Sequence, residues 1–165
     1  MCIFFDTEFT DLGVDPRLIS IGLVAEDGER TFYAELSDTY EPKDCGEFAR
    51  LAVLPQLEGG DALMSMHELG ERLVAWLEAF GEPVALATDS LAWDWPWIHE
   101  IFGELGTWPD NLDRRPQVLR KETEFNLAVE QAFSTGLRRH HSLDDAKANR
   151  LGWIAADKPV EDHAG

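Results

Sequence analysis

The apolar positions change period several times along the chain, and each change marks an element. Ile3-Phe4-Phe5 opens a strand over 1–5. "LISIGLVA" (18–25) and "TFYAEL" (31–36) read as two further strands, separated by the hairpin turn Glu26-Asp27-Gly28-Glu29. A short helix is expected within 45–57. Leu69, Leu73, Trp76, Leu77 and Phe80 recur at helical spacing, which predicts an amphipathic helix over 66–80 stopped by Gly81. "PVALAT" (83–88) reads as a buried strand, and helices are expected around 94–102, 117–133 and 143–156. This order predicts an α/β fold, a central mixed sheet with antiparallel N-terminal strands flanked by helices.

Nothing interrupts that pattern. There is no internal repeat, no low-complexity tract and no long linker. A chain of 165 residues suits a single domain over 1–165, with 158–165 expected as a flexible tail. No apolar run approaches the length of a membrane span and no leader is read, so no membrane partner is expected. Cys2 and Cys45 form neither a disulfide framework nor a zinc knuckle, so the expected setting is reduced and cytoplasmic.

Charge narrows the partners. The net charge is -18. Residues 1–110 carry five basic and 23 acidic side chains, whereas 111–150 carry eight and six. Such a balance argues against tight binding of long nucleic acid, because that affinity comes largely from cations neutralising phosphates. Any phosphate-facing surface should draw on Arg114, Arg115, Arg120, Lys121, Arg138, Arg139, Lys147 and Arg150, although most of these are expected on solvated helix faces.

Three stretches carry candidate chemistry. Asp6 and Glu8 follow the first strand's apolar run, and side chains two apart on a strand share a face. Two carboxylates there repel unless a proton or cation joins them, and oxygen-only donors suit Mg²⁺ or Mn²⁺. Asp89 and Asp94 follow the buried strand, where ligands of α/β sheets gather. Asp89 has a plain reading as a turn residue and Asp94 as a helix N-terminal residue. In "RRHHSLDDAKANR" (138–150), Ser142 reads as an N-cap with Asp145 as its reciprocal partner. The same stretch places His140 and His141 just before an acid in the helix's first turn. Histidine exchanges a proton near neutral pH, so one beside a metal-binding carboxylate suits a general base.

"DTEFTDL" (6–12), "AWDWPWIHEIFG" (92–103) and "HHSLDDA" (140–146) resemble, in order, the three motifs of the DEDDh 3′–5′ exonucleases, which have a ribonuclease H-like fold. The resemblance runs from residue 1 to about 156, and "LISIGLVAEDG" (18–28) is similar to small bacterial and phage 3′–5′ exoribonucleases. It implies a set of metal-binding and catalytic acids, Asp6, Glu8, Asp94 and Asp145, that hold two divalent ions, Mg²⁺ or Mn²⁺. It implies His140 rather than His141 as general base, five residues before Asp145, and leaves Asp89 as a turn residue. It implies Thr7, Phe9 and Leu12 as substrate-binding residues, with Leu12 and Phe9 walling the terminal base. The implied activity is 3′–5′ hydrolysis of RNA or short single-stranded oligonucleotides, releasing nucleoside 5′-monophosphates. Many relatives dimerise, and the surplus of tryptophans would allow a homodimer. Two alternatives stand beside this: a DNA exonuclease of proofreading or repair type, and a catalytically silent ribonuclease H-like binding module.

The sequence departs from the family's commonest pattern in places. Ser142 replaces a small apolar residue, and Asp11 stands where many relatives have Gly. Trp93, Trp95 and Trp97 surround Asp94, as core or as a stacking surface for bases.

Overall fold

The computed structural model of the protein describes residues 1–157; the tail expected at 158–165 lies outside them. Six strands form one sheet: β1 (Cys2–Phe9), β2 (Leu18–Ala25), β3 (Thr31–Leu36), β4 (Leu63–Met64), β5 (Ala85–Thr88) and β6 (Gln117–Val118). Their order is β4-β3-β2-β1-β5-β6. The hairpin pairs β1–β2 and β2–β3 are antiparallel, whereas β3–β4, β1–β5 and β5–β6 are parallel. Four helices cover the sheet: α1 (Met66–Glu78), α2 (Leu91–Leu105), α3 (Thr123–Ser134) and α4 (Ser142–Ala156). The mixed α/β architecture expected from the sequence is therefore the one observed.

Alternation along β1 distributes the core. Ile3, Phe5 and Phe9 face α1 and α2, packing with Leu69, Leu73, Ile98 and Ile101. Phe4 faces α3 and α4, packing with Phe125 and Ala146. Asp6 and Glu8 continue Phe4's face, so the acids point towards α4, and Thr7 points towards α2.

Several boundaries differ from expectation. The first strand does not stop at Phe5; it runs to Phe9 because Asp6 and Glu8 pair with Gly22 and Ser20 of β2. The short helix expected within 45–57 is present, though not as regular α-helix. It is a π-helical turn (Ala49–Val53) followed by a 3₁₀ turn (Leu54–Gln56), and Pro55 lacks the N–H that a continuing helix would need. Residues 117–118 do not begin a helix. They close the open edge of β5 as β6, and α3 starts at Thr123.

Helix α4 is pressed onto the sheet at one place. A Cβ on Gly22 would lie 2.2 Å from the Leu143 backbone nitrogen, so only glycine lets the start of α4 sit on β2. Ser142 is buried in that contact and its hydroxyl bonds Ser20 at 3.1 Å. The N-cap is thus His141, not Ser142: the His141 ring accepts from the Asp144 N–H at 3.4 Å. Asp145 is thereby not the partner of a Ser142 capping box.

Candidate active site

The ends of β1 and β5 and the starts of α2 and α4 converge on an open cleft of about 330 Å³. Asp6, Glu8, Asp94, Asp145 and His140 all line it, as do Thr7, Phe9 and Leu12. A register shift at Glu8/Phe9 in the β1–β2 ladder turns the strand at the cleft rim.

The acidic groups fall into two neighbouring triads. One donor atom each from Glu8, His140 and Asp145 lies within 4.8 Å of the others, and the same holds for Asp6, Asp89 and Asp94. Asp94 sits in the first turn of α2 and is buried. The Thr7 hydroxyl donates to it at 2.6 Å, and the Thr88 hydroxyl donates to its other oxygen. Thr7 therefore orients a carboxylate with its side chain while lining the cleft. Asp89, read from sequence as a turn residue, reaches the cleft as well. It accepts from Asn149 at 3.0 Å and pairs with Lys121 at 2.8 Å. Nothing in its spacing distinguishes it from a turn acid; the signal lies in partners distant in sequence.

Burial and mutual repulsion press protons onto these acids. Burial, reinforced by Asp94, Asp145 and Glu8, holds Asp6 well above the usual carboxylate range. Burial and the neighbouring Asp145 push Glu8 up to about 9. Burial raises Asp145 to about 7 and Asp94 to about 6, the latter opposed by the two threonine hydroxyls. Carboxylates in this condition are discharged by protons or by a cation. Four to five oxygen donors with one imidazole fit a hard divalent ion such as Mg²⁺ or Mn²⁺.

The two histidines part company. His140 has φ 62°, the one positive-φ residue other than glycine among the described residues, and its half-buried ring enters the cleft. Burial and the neighbouring Arg139 lower its pKa, which favours the neutral imidazole. His141 is buried against Tyr33, with ring centroids 4.6 Å apart, and meets Glu58 at 3.1 Å. Among the tryptophans only Trp93 is largely exposed, and it lines the cleft beside Phe9 at 6.0 Å between centroids. Trp97 is core, and Trp95 is half-buried against the same cluster, edge-on to Phe5. Asp11 is exposed and bonds the Gly13 N–H at 2.7 Å; it does not line the cleft.

No family model matches the chain. The fold, however, is that of a DEDDh nuclease domain: the crystal structure of the nuclease domain of 3′hExo, a DEDDh family member bound to rAMP, superposes with a TM-score of 0.56 at 16% identity, covering 93% of this chain and 90% of that one. Two proteins of Mycobacterium tuberculosis, from strains CDC 1551 and H37Rv, are each described as a 3′–5′ exoribonuclease. Each is 32% identical over 131 residues, spanning 73% of this chain and 73% of its own length. The chain belongs to this family of 3′–5′ exoribonucleases.

Proposed function

We propose that the protein is a metal-dependent 3′–5′ exoribonuclease, its described residues forming one domain, that removes nucleoside 5′-monophosphates from RNA or short oligonucleotides. The observation that carries this is the meeting of Asp6, Glu8, Asp94, Asp145 and His140 in one cleft. Asp6, Glu8, Asp94 and Asp145 would hold two divalent ions, Mg²⁺ or Mn²⁺. Bound there, the ions would activate water and stabilise the leaving oxygen.

The chain's own groups do the rest. His140, kept neutral by burial, takes the proton from the attacking water through a ring nitrogen. Thr7 and Thr88 hold the Asp94 carboxylate in one orientation. Phe9, Leu12 and Trp93 offer apolar and aromatic surface for the terminal base. RNA as substrate is supported by the designation of the mycobacterial relatives, and a mononucleotide product by the neighbour's bound rAMP. Among the described residues no helix is long and apolar enough to cross a membrane, and both cysteines are free and buried. We read a cytoplasmic enzyme.

Matched RNA and DNA oligomers, 5′-labelled and incubated with Mg²⁺ or Mn²⁺, test the substrate. RNA should be shortened faster. Equal or greater turnover of DNA removes the RNA reading and leaves a DNA exonuclease.

A further inference from the structure

One group of contacts around the cleft is not used by the mechanism above. The loop 138–141 carries His140 and is gripped from outside by the irregular segment 46–59. The Gln56 side-chain amide donates to the Arg139 carbonyl and to the Ala52 carbonyl, the latter at 2.8 Å. The Glu58 carboxylate accepts from Arg138 and from the His141 ring, each at 3.1 Å. Phe48 places its ring against His140, 4.7 Å between centroids at 85°. The grip is itself anchored: the buried Glu35 carboxylate accepts from the backbone N–H groups of Glu58 and Gly59 and from the Tyr33 hydroxyl.

These contacts answer a physical need. A histidine in the left-handed region is strained, and such a conformation persists only where its surroundings over-determine it. The bonds from Gln56 and Glu58 fall on Arg138, Arg139 and His141, all within two residues of His140. None of them touches Asp6, Glu8, Asp94 or Asp145.

We infer that Gln56 and Glu58 are positioning residues for the reaction, holding the backbone of 138–141 so that the His140 imidazole stays beside Glu8 and Asp145, with Phe48 fixing the ring. The inference rests on the general-base role proposed for His140. It requires the amide of Gln56 as a donor and an acceptor at residue 58. The carbonyl oxygen of a glutamine there can still accept from His141, whereas alanine cannot.

Turnover of a labelled RNA oligomer under saturating Mn²⁺ provides the test, run well below each variant's melting temperature. Gln56→Ala, Gln56→Glu and Glu58→Ala should each lower kcat about ten- to hundredfold, the scale of a small misplacement. KM and calorimetric Mn²⁺ affinity should move less than about threefold. Glu58→Gln should recover most of the loss, and Glu58→Ala should cost nothing further in a His140→Ala background. A kcat for Gln56→Ala and Glu58→Ala within about twofold of the parent, beside a His140→Ala lowered by about a hundredfold or more, overturns the positioning role alone. A further loss in the His140→Ala background, or no recovery in Glu58→Gln, also overturns it in favour of general structural support. Parental activity in His140→Ala itself removes the general-base reading and the inference with it.

Discussion

His140 and His141 are adjacent in sequence and opposite in environment. His140 opens into the cleft, and His141 caps α4 while stacking on Tyr33. His140→Ala should lower turnover by about 10²–10⁴-fold, the scale of a lost general base, and leave melting nearly unchanged. His141→Ala should show the reverse emphasis, losing about 1–3 kcal/mol of stability in urea titration from a lost cap and a cavity. If His141→Ala is instead the variant that abolishes turnover at parental stability, the base has been assigned to the wrong ring. The acids divide similarly. Asp94 is buried and held by two hydroxyls at the centre of the site, whereas Asp89 is already paired with Lys121 and Asn149. Asp94→Asn should cost at least about a hundredfold in kcat/KM and Asp89→Asn less than about tenfold, measured on one oligonucleotide. Equal losses would make Asp89 a full member of the metal-binding set.

At the scale of elements, the site depends on how closely α4 approaches β2. A methyl group on Gly22 meets the Leu143 backbone, which cannot rotate away. Gly22→Ala should therefore destabilise the protein by about 3 kcal/mol, at the upper end for overpacking, and draw Asp145 from Glu8 with loss of turnover. Unchanged denaturant midpoint and activity would refute that account of the helix–sheet contact. The strands β2 and β3 were legible to the residue, because apolar runs bounded by turn residues admit few other readings. The polar tail of β1 was not, since Asp6 and Glu8 look like a strand end until β2 supplies their backbone partners. The two-residue strands β4 and β6 carry no periodicity at all; they exist because neighbouring strands leave backbone groups unpaired. Asp6, Glu8, Asp94, Asp145 and His140 could be named from motif order. Asp89, Gln56 and Glu58 could not, because their partners are 60, 83 and 83 positions away.

Over the whole molecule, the acids concentrated at the cleft make stability depend on pH, and a bound divalent ion would change that dependence. Folding raises Glu8 to about 9 and Asp6 above its usual range, so between pH 7 and 8.5 the folded, metal-free protein binds more protons than the unfolded chain. Its stability must fall as pH rises through that window. The lowered histidines act in the opposite sense, but only near and below about pH 6.5, where an unfolded histidine titrates. In chelator, the melting temperature should drop from pH 7 to 8.5, and the increment produced by Mn²⁺ should grow, because the ion binds the ionised carboxylates. A melting temperature that rises with pH in chelator would contradict the assignment. The net charge of -18 does not oppose a nuclease of this design, since only the last nucleotides of a strand would need to enter the cleft, where divalent ions would neutralise the acids. The most direct measurement is the digestion of a 5′-labelled RNA oligomer with Mg²⁺ or Mn²⁺, followed on a sequencing gel. The account predicts a ladder that shortens from the 3′ end with release of nucleoside 5′-monophosphates, abolished by chelator and by Asp6→Asn. An intact oligomer with either metal, or shortening that survives both chelation and Asp6→Asn, would contradict it.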